Sequence, residues 1–226
     1  MSNYYGYKQY ETVAERTAKA KKQLEKLRKK NPDICPIVIE GRTIAKSWWG
    51  KAWNKNLEIY ADHSNRIGRG RSYISNGLVL DLVVEEGLVR GLVCGTRSTP
   101  YNVTIRIDPL AKGTHGQLTK LCNRTISSLE ELLEGRFPES LADLFTKPGQ
   151  GMFPSRKEIH FGCSCPDGAN MCKHVSAILY AIGAKFDSDP ALFFKLRSID
   201  FGLFLAEAVD EKADSIASFL TFLFSV

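Results

Sequence analysis

The sequence predicts an α+β protein built on an antiparallel sheet with helices. Two observations carry this. Residues 73–107 alternate apolar and polar side chains in short runs, broken at Glu86-Gly87 and at Ser98-Thr99-Pro100, the pattern of a strand meander. The segments 46–65 and 115–134 instead space their apolar side chains as helices do, and 9–30 is composed of helix formers. With 226 residues, 43% of them hydrophobic, the chain can bury a core in one domain, or in one domain plus a small module.

The elements follow in order. Residues 9–30 are rich in Ala, Glu, Lys and Leu, with acidic side chains early and basic ones late, as the helix dipole favours. Lys21, Lys22, Lys26, Arg28, Lys29 and Lys30 form a basic cluster, either a solvated face or an arm that touches phosphate. Asn31-Pro32-Asp33 breaks the helix, and residues 36–40 suit a short strand. Over 46–65, Trp48, Trp49, Trp53, Leu57 and Tyr60 line one helical face. Such spacing favours packing against a core over base stacking, which needs exposed rings. RIGRGRSY, 66–73, alternates Arg66, Arg69 and Arg71 with Gly68 and Gly70. It reads as a polar connection or as a loop whose glycines admit an anion to the arginines. Cys94, assigned to the second strand of the meander, is expected to be a buried small hydrophobe. Thr114 and Gly135 cap the helix at 115–134, whose apolar face includes Leu118, Leu121, Cys122 and Ile126. A short helix over 138–146 starts at Pro138, and KPGQGMFPS, 147–155, reads as a linker. The expected organisation is a basic helical arm (1–30), an α+β domain (31–147), a cysteine-bearing unit (148–200) and a helical tail (201–226).

The net charge is +6, and its distribution is uneven. Residues 1–80 hold 16 Lys/Arg against 7 Asp/Glu, whereas residues 81–150 and 151–226 are each slightly acidic. A basic first third is the electrostatic footprint of a nucleic-acid binder. The N-terminal residues lack the apolar run of a secretory signal, and no apolar stretch reaches the roughly 20 residues that span a bilayer. The expected location is the cytoplasm, with no membrane partner. No catalytic motif holds. GRTIAKS, 41–47, has Ala45 where a phosphate-binding loop needs glycine, and His63 and His115 stand alone. A non-enzyme without a small-molecule substrate is therefore expected.

Half of the six cysteines lie in FGCSCPDGANMCKHVSAILYAIG, 161–183. Cys163, Cys165, Cys172 and His174 form a C-x-C-x₆-C-x-H pattern. In a reducing compartment such crowding favours metal binding or redox chemistry over disulfides. A Cys₃His set is one of the standard structural sets for Zn²⁺. The segment 156–161 reads as a strand. Cys163 and Cys165, two apart, then share one side of an extended chain. Cys172 and His174 fall on the first turn of a helix whose apolar face is Val175, Ile178, Leu179 and Ile182. The expected unit is two short strands and a helix, a small ββα-like zinc finger held by one ion. A redox pair would leave Cys172 and His174 idle, and a disulfide would leave one thiol over. His160 is a competing ligand on the strand side of the turn.

The pattern resembles the SWIM-type zinc finger at Cys163, Cys165, Cys172 and His174. Pro166 and Lys173 also match it. WWGKAW (48–53), RGRSY (69–73) and PYNVTIRIDPL (100–110) are similar to the N-terminal region of bacterial SWIM-domain proteins. Those are often encoded beside a Swi/Snf-type DNA-dependent ATPase. The likeness spans about residues 46–200, and 201–226 carry none of it. It implies zinc binding and recognition of DNA or protein, without catalysis. Arg156, Lys157 and Lys173 lie near the finger in sequence, and with Arg66, Arg69 and Arg71 they are the candidate nucleic-acid contacts. The alternative is a protein–protein adaptor that docks through the finger and Phe193, Phe194, Phe201 and Phe204.

Overall fold

The computed structural model describes residues 11–111, 113–117, 142–146 and 151–204, with positions 206, 207, 210 and 213. The expected α+β class is what it contains: one antiparallel sheet and packed helices. Helix α1 spans Val13–Arg28. It starts on a capping box, in which Glu15 N–H donates to the Thr12 hydroxyl (3.2 Å) and Thr12 N–H donates to the Glu15 carboxylate (2.7 Å). The helix is tied down. Gln23 Nε2 donates to Ser98 O (2.8 Å) and Lys19 Nζ to Thr96 O (2.9 Å). Lys21, Lys22, Lys26 and Arg28–Lys30 remain exposed.

Residues 36–40 are not a strand. Ile37 N–H reaches Val79 O (3.3 Å), but Pro36 has no N–H to extend a ladder. Helix α2, Trp48–Asn56, begins at Ser47, whose hydroxyl accepts Gly50 N–H. A 3₁₀ turn, Leu57–Tyr60, continues it. Trp53, Leu57 and Tyr60 are buried and Trp48 and Trp49 half-buried, so the expected core face holds.

RIGRGRSY is helical, contrary to the loop expected there. It lies within α3, Ser64–Ser75. Ile67, Gly70, Tyr73 and Ile74 make a buried stripe at helical spacing. Gly70 serves close packing, not backbone freedom. A Cβ there would collide with the Ser176 side chain and lie 2.9 Å from its backbone carbon. Gly70→Ala is therefore expected to destabilise the fold by about 1–3 kcal/mol through overpacking, outweighing alanine's gain of roughly 1 kcal/mol in helix propensity. A lower urea midpoint at unchanged slope would show it. An unchanged midpoint would place α3 farther from its neighbour.

The sheet runs in the order β1 (Val79–Glu85), β2 (Leu88–Val93), β3 (Tyr101–Ile107) and β4 (Ile159–Cys163). The Glu86-Gly87 hairpin is as expected, with Gly87 at φ +61°. Cys94 is buried as expected, one residue past β2 rather than inside it. The helices expected at 115–134 and 138–146 fall mostly outside the described residues. Residues 113–117 are helical, and α4 spans Ala142–Thr146. The described part of the expected linker is buried instead: Met152 and Phe153 belong to the core, and Phe153 N–H bonds Phe145 O (3.1 Å).

The cysteine segment is not a self-contained ββα unit. It supplies one strand, β4, which pairs with β3 so that Cys163 faces Val103. Helix α5, Lys173–Phe186, follows. Eleven of its fourteen residues are buried, so it is the central helix of the main core rather than an appendage. It packs on α3, α2 and the sheet. Beyond it, α6 spans Leu192–Leu196. Phe193, Phe194 and Phe204 are buried with it and Phe201 is half-buried, so of the four phenylalanines expected to dock a partner three are core. Among the described residues no helix is long and apolar enough to cross a membrane.

Candidate metal centre

Cys163 ends β4, Cys165 follows two residues on, Cys172 is the N-cap of α5 and His174 lies in its first turn. The fold brings these four together. Their ligand atoms all lie within 4.8 Å of one another, close enough to hold a metal ion. His174 Nδ1 is 3.8 Å from both Cys163 Sγ and Cys172 Sγ. Bonds of about 2.3 Å to sulfur and about 2.0 Å to nitrogen give a tetrahedron with donor edges of roughly 3.5–3.8 Å. Donor chemistry and spacing thus fit a tetrahedral ion and are consistent with zinc.

Aromatic rings set the imidazole. Tyr101 stacks on it at 4.4 Å and Tyr73 meets it edge-on at 5.4 Å. Gly95 leaves room for this pair, because a Cβ there would overlap the Tyr101 ring and sit 3.1 Å from His174 Nε2. Nδ1 therefore faces the thiols while Nε2 is buried behind. Burial lowers the pKa of His174, which keeps the ring neutral and able to ligate.

The thiols are unequal. Cys172 is pulled well down, first by its hydrogen bond with Cys163 and, against burial, by its bond with His174. The same bond to Cys172, with burial, pushes Cys163 up. Burial raises Cys165. One thiolate, at the helix N-cap, is therefore favoured before any ion arrives.

The loop between the two ligand pairs is clamped from outside. The Asp62 carboxylate accepts N–H bonds from Asn170 (2.8 Å) and Met171 (3.4 Å). Arg66 pairs with Asp167 at 3.1 Å. Ser164, between the first two cysteines, is held as well: its N–H donates to Asn102 O (3.0 Å) and its carbonyl accepts from Arg97 (3.1 Å). Asp62 escaped the sequence reading because only the tertiary fold brings it to the loop, and the same holds for the pairing of Arg66 with Asp167, a residue of the loop's expected turn. His160, the competing ligand, is exposed and bonds Asp108 at 3.2 Å instead.

The candidate nucleic-acid contacts do not converge on one patch. Arg66 is engaged by Asp167, while Arg69 is exposed. Arg71 donates to the Tyr180 hydroxyl (3.1 Å). Arg156 and Lys157 sit before β4, at the end opposite Cys163, and Arg156 covers the Phe161 ring at 5.4 Å. Lys173 lies 6.0 Å above the Tyr73 ring, beside the cluster.

Fold and site together define an α+β protein with a Cys₃His cluster able to hold a metal ion. The chain is 35% identical over 195 residues to the uncharacterized protein Rv2102 of Mycobacterium tuberculosis (strain ATCC 25618 / H37Rv), covering 82% of this chain and 70% of that protein. It belongs to the same family as that protein. No family model matches the chain, and no solved structure does.

Proposed function

We propose that this chain is a SWIM-type zinc-finger protein, a zinc-binding, non-catalytic module that binds nucleic acid, DNA foremost, and acts with a Swi/Snf-type ATPase. The observation that carries it is the Cys₃His cluster, whose four protein ligands would fill a tetrahedral shell and leave no position for a reactive water. The ion's chemistry here is structural: it joins the end of β4 to the start of α5. The exposed lysines and arginines of α1 support an electrostatic grip on phosphate. The link to an ATPase is supported by the likeness of residues 46–200 to bacterial SWIM-domain proteins.

The test is metal analysis of reduced protein together with DNA titrations at two salt concentrations, on wild type and Cys165→Ser. Equimolar zinc, salt-sensitive binding and weaker binding by the variant are expected. Absence of zinc from reduced protein would overturn the metal reading. Zinc without DNA binding would favour the adaptor.

A further inference from the structure

Between residues 42–45, α2 and α3 lies a cleft of about 390 Å³. Arg42, Lys51, Lys55 and Arg71 line it, against one carboxylate, Glu58. All four cations are exposed. Arg42, Lys51 and Lys55 have no ion-pair partner among the described residues. By contrast Lys19, Arg66 and Arg90 are each matched by a carboxylate, although the exposed Lys21, Lys22 and Lys26 of α1 are not. Gathering uncompensated cations costs folding energy through self-repulsion, and an entering anion offsets that cost.

The walls of this cleft are fixed. The Asp187 carboxylate, just past α5, accepts N–H bonds from Lys46 (2.6 Å) and Ser47 (3.0 Å), which holds the 42–47 segment. Trp53 Nε1 donates to Leu179 O (2.9 Å), which fixes α2 to α5. The Arg71 guanidinium bonds the Tyr180 hydroxyl and lies 5.5 Å from its ring centre, so its fork is oriented. Such support keeps charged side chains where a ligand needs them. Lys51 and Lys55 stand one turn apart on the same face of α2, about 6 Å along its axis. The cleft is open rather than a closed cup, and its cations come from three segments of the chain, which suits a run of phosphates better than a single small anion.

We infer that this cleft seats backbone phosphates of a nucleic acid, with Arg42, Lys51, Lys55 and Arg71 as the contacts. The inference rests on the nucleic-acid reading above and assigns the place of contact. It replaces the glycine-loop site suggested by RIGRGRSY, of which only Arg71 joins the cleft.

The test uses the full zinc-loaded chain and fluorescence anisotropy with a labelled duplex and a labelled single strand, between about 50 and 200 mM salt. The cleft variant is Arg42→Gln/Lys51→Gln/Lys55→Gln. The control, Arg90→Gln/Arg106→Gln/Lys195→Gln, removes equal charge from exposed positions on the sheet and α6. The cleft variant should bind at least about tenfold more weakly, with a log–log salt slope shallower by about 2–3, and the control should change far less. If the triple variant misfolds, Lys51→Gln alone should still flatten the slope by about 1. A wild type that binds steeply with salt beside a cleft variant that binds equally well overturns the cleft and leaves the nucleic-acid reading standing. Equal losses in cleft variant and control also overturn the cleft, since net charge alone then explains binding. A wild type that binds neither strand overturns the reading and the cleft together. Saturable binding of pyrophosphate in that case would make the cleft a small-anion site.

Discussion

Replacing Cys172 with serine is expected to abolish equimolar metal binding and to lower the thermal midpoint by about 10 °C while the chain stays folded. Cys172 is both a ligand and the N-cap of α5. Serine caps helices well, so the change isolates the thiolate. An ion held about a thousandfold above its dissociation constant stabilises by about 4 kcal/mol, and each kcal/mol moves the midpoint of a chain this size by about 2–4 °C. The rest of the fold should persist because α5 is buried in the main core and β4 is paired with β3. An isolated zinc finger behaves differently and unfolds without its metal. Metal analysis, far-ultraviolet circular dichroism and melting with and without chelator distinguish these cases. A variant with lost helix signal would show that the ion, not the core, holds α5. Wild type that melts identically with and without chelator would show that no ion contributes to stability.

Local signals were legible before the structure. Glu86-Gly87 marked the hairpin because a positive-φ glycine is a property of two adjacent residues. Cys163, Cys165, Cys172 and His174 were legible because all four ligands come from twelve consecutive residues, so spacing alone brings them near one point. What failed depended on partners distant in sequence. RIGRGRSY resembles a flexible loop until α5 is set against it, where Gly70 becomes the contact point with Ser176. Met152 and Phe153 were hidden in a stretch whose glycines and prolines suggest a linker, yet those two side chains fill core space. The cationic cleft was invisible for the same reason, since Arg42, Lys51 and Arg71 reach one opening from three separate segments.

Metal affinity is expected to fall about 100-fold for each pH unit below neutrality, because two protons must leave as the ion binds. The count follows from the environments of the four ligands. Cys172, lowered by its bond with Cys163 and by His174, is already a thiolate at neutral pH. Cys163, raised by its bond to Cys172 and by burial, and Cys165, raised by burial, still carry their protons there. His174, lowered by burial, is neutral and releases none. Lowering the pH therefore sets two protons against one ion, and raising it favours the metal. Three ordinary thiols, with pKa values of about 8.5, would all be protonated at neutral pH and would release three protons. Chelator competition between about pH 6 and 7.5 reads the number directly as the slope of log affinity against pH. A slope near two supports a cluster that holds one thiolate ready at the helix N-cap. A slope near three would mean that Cys172 is protonated like its neighbours, and the advantage assigned to that position would be lost.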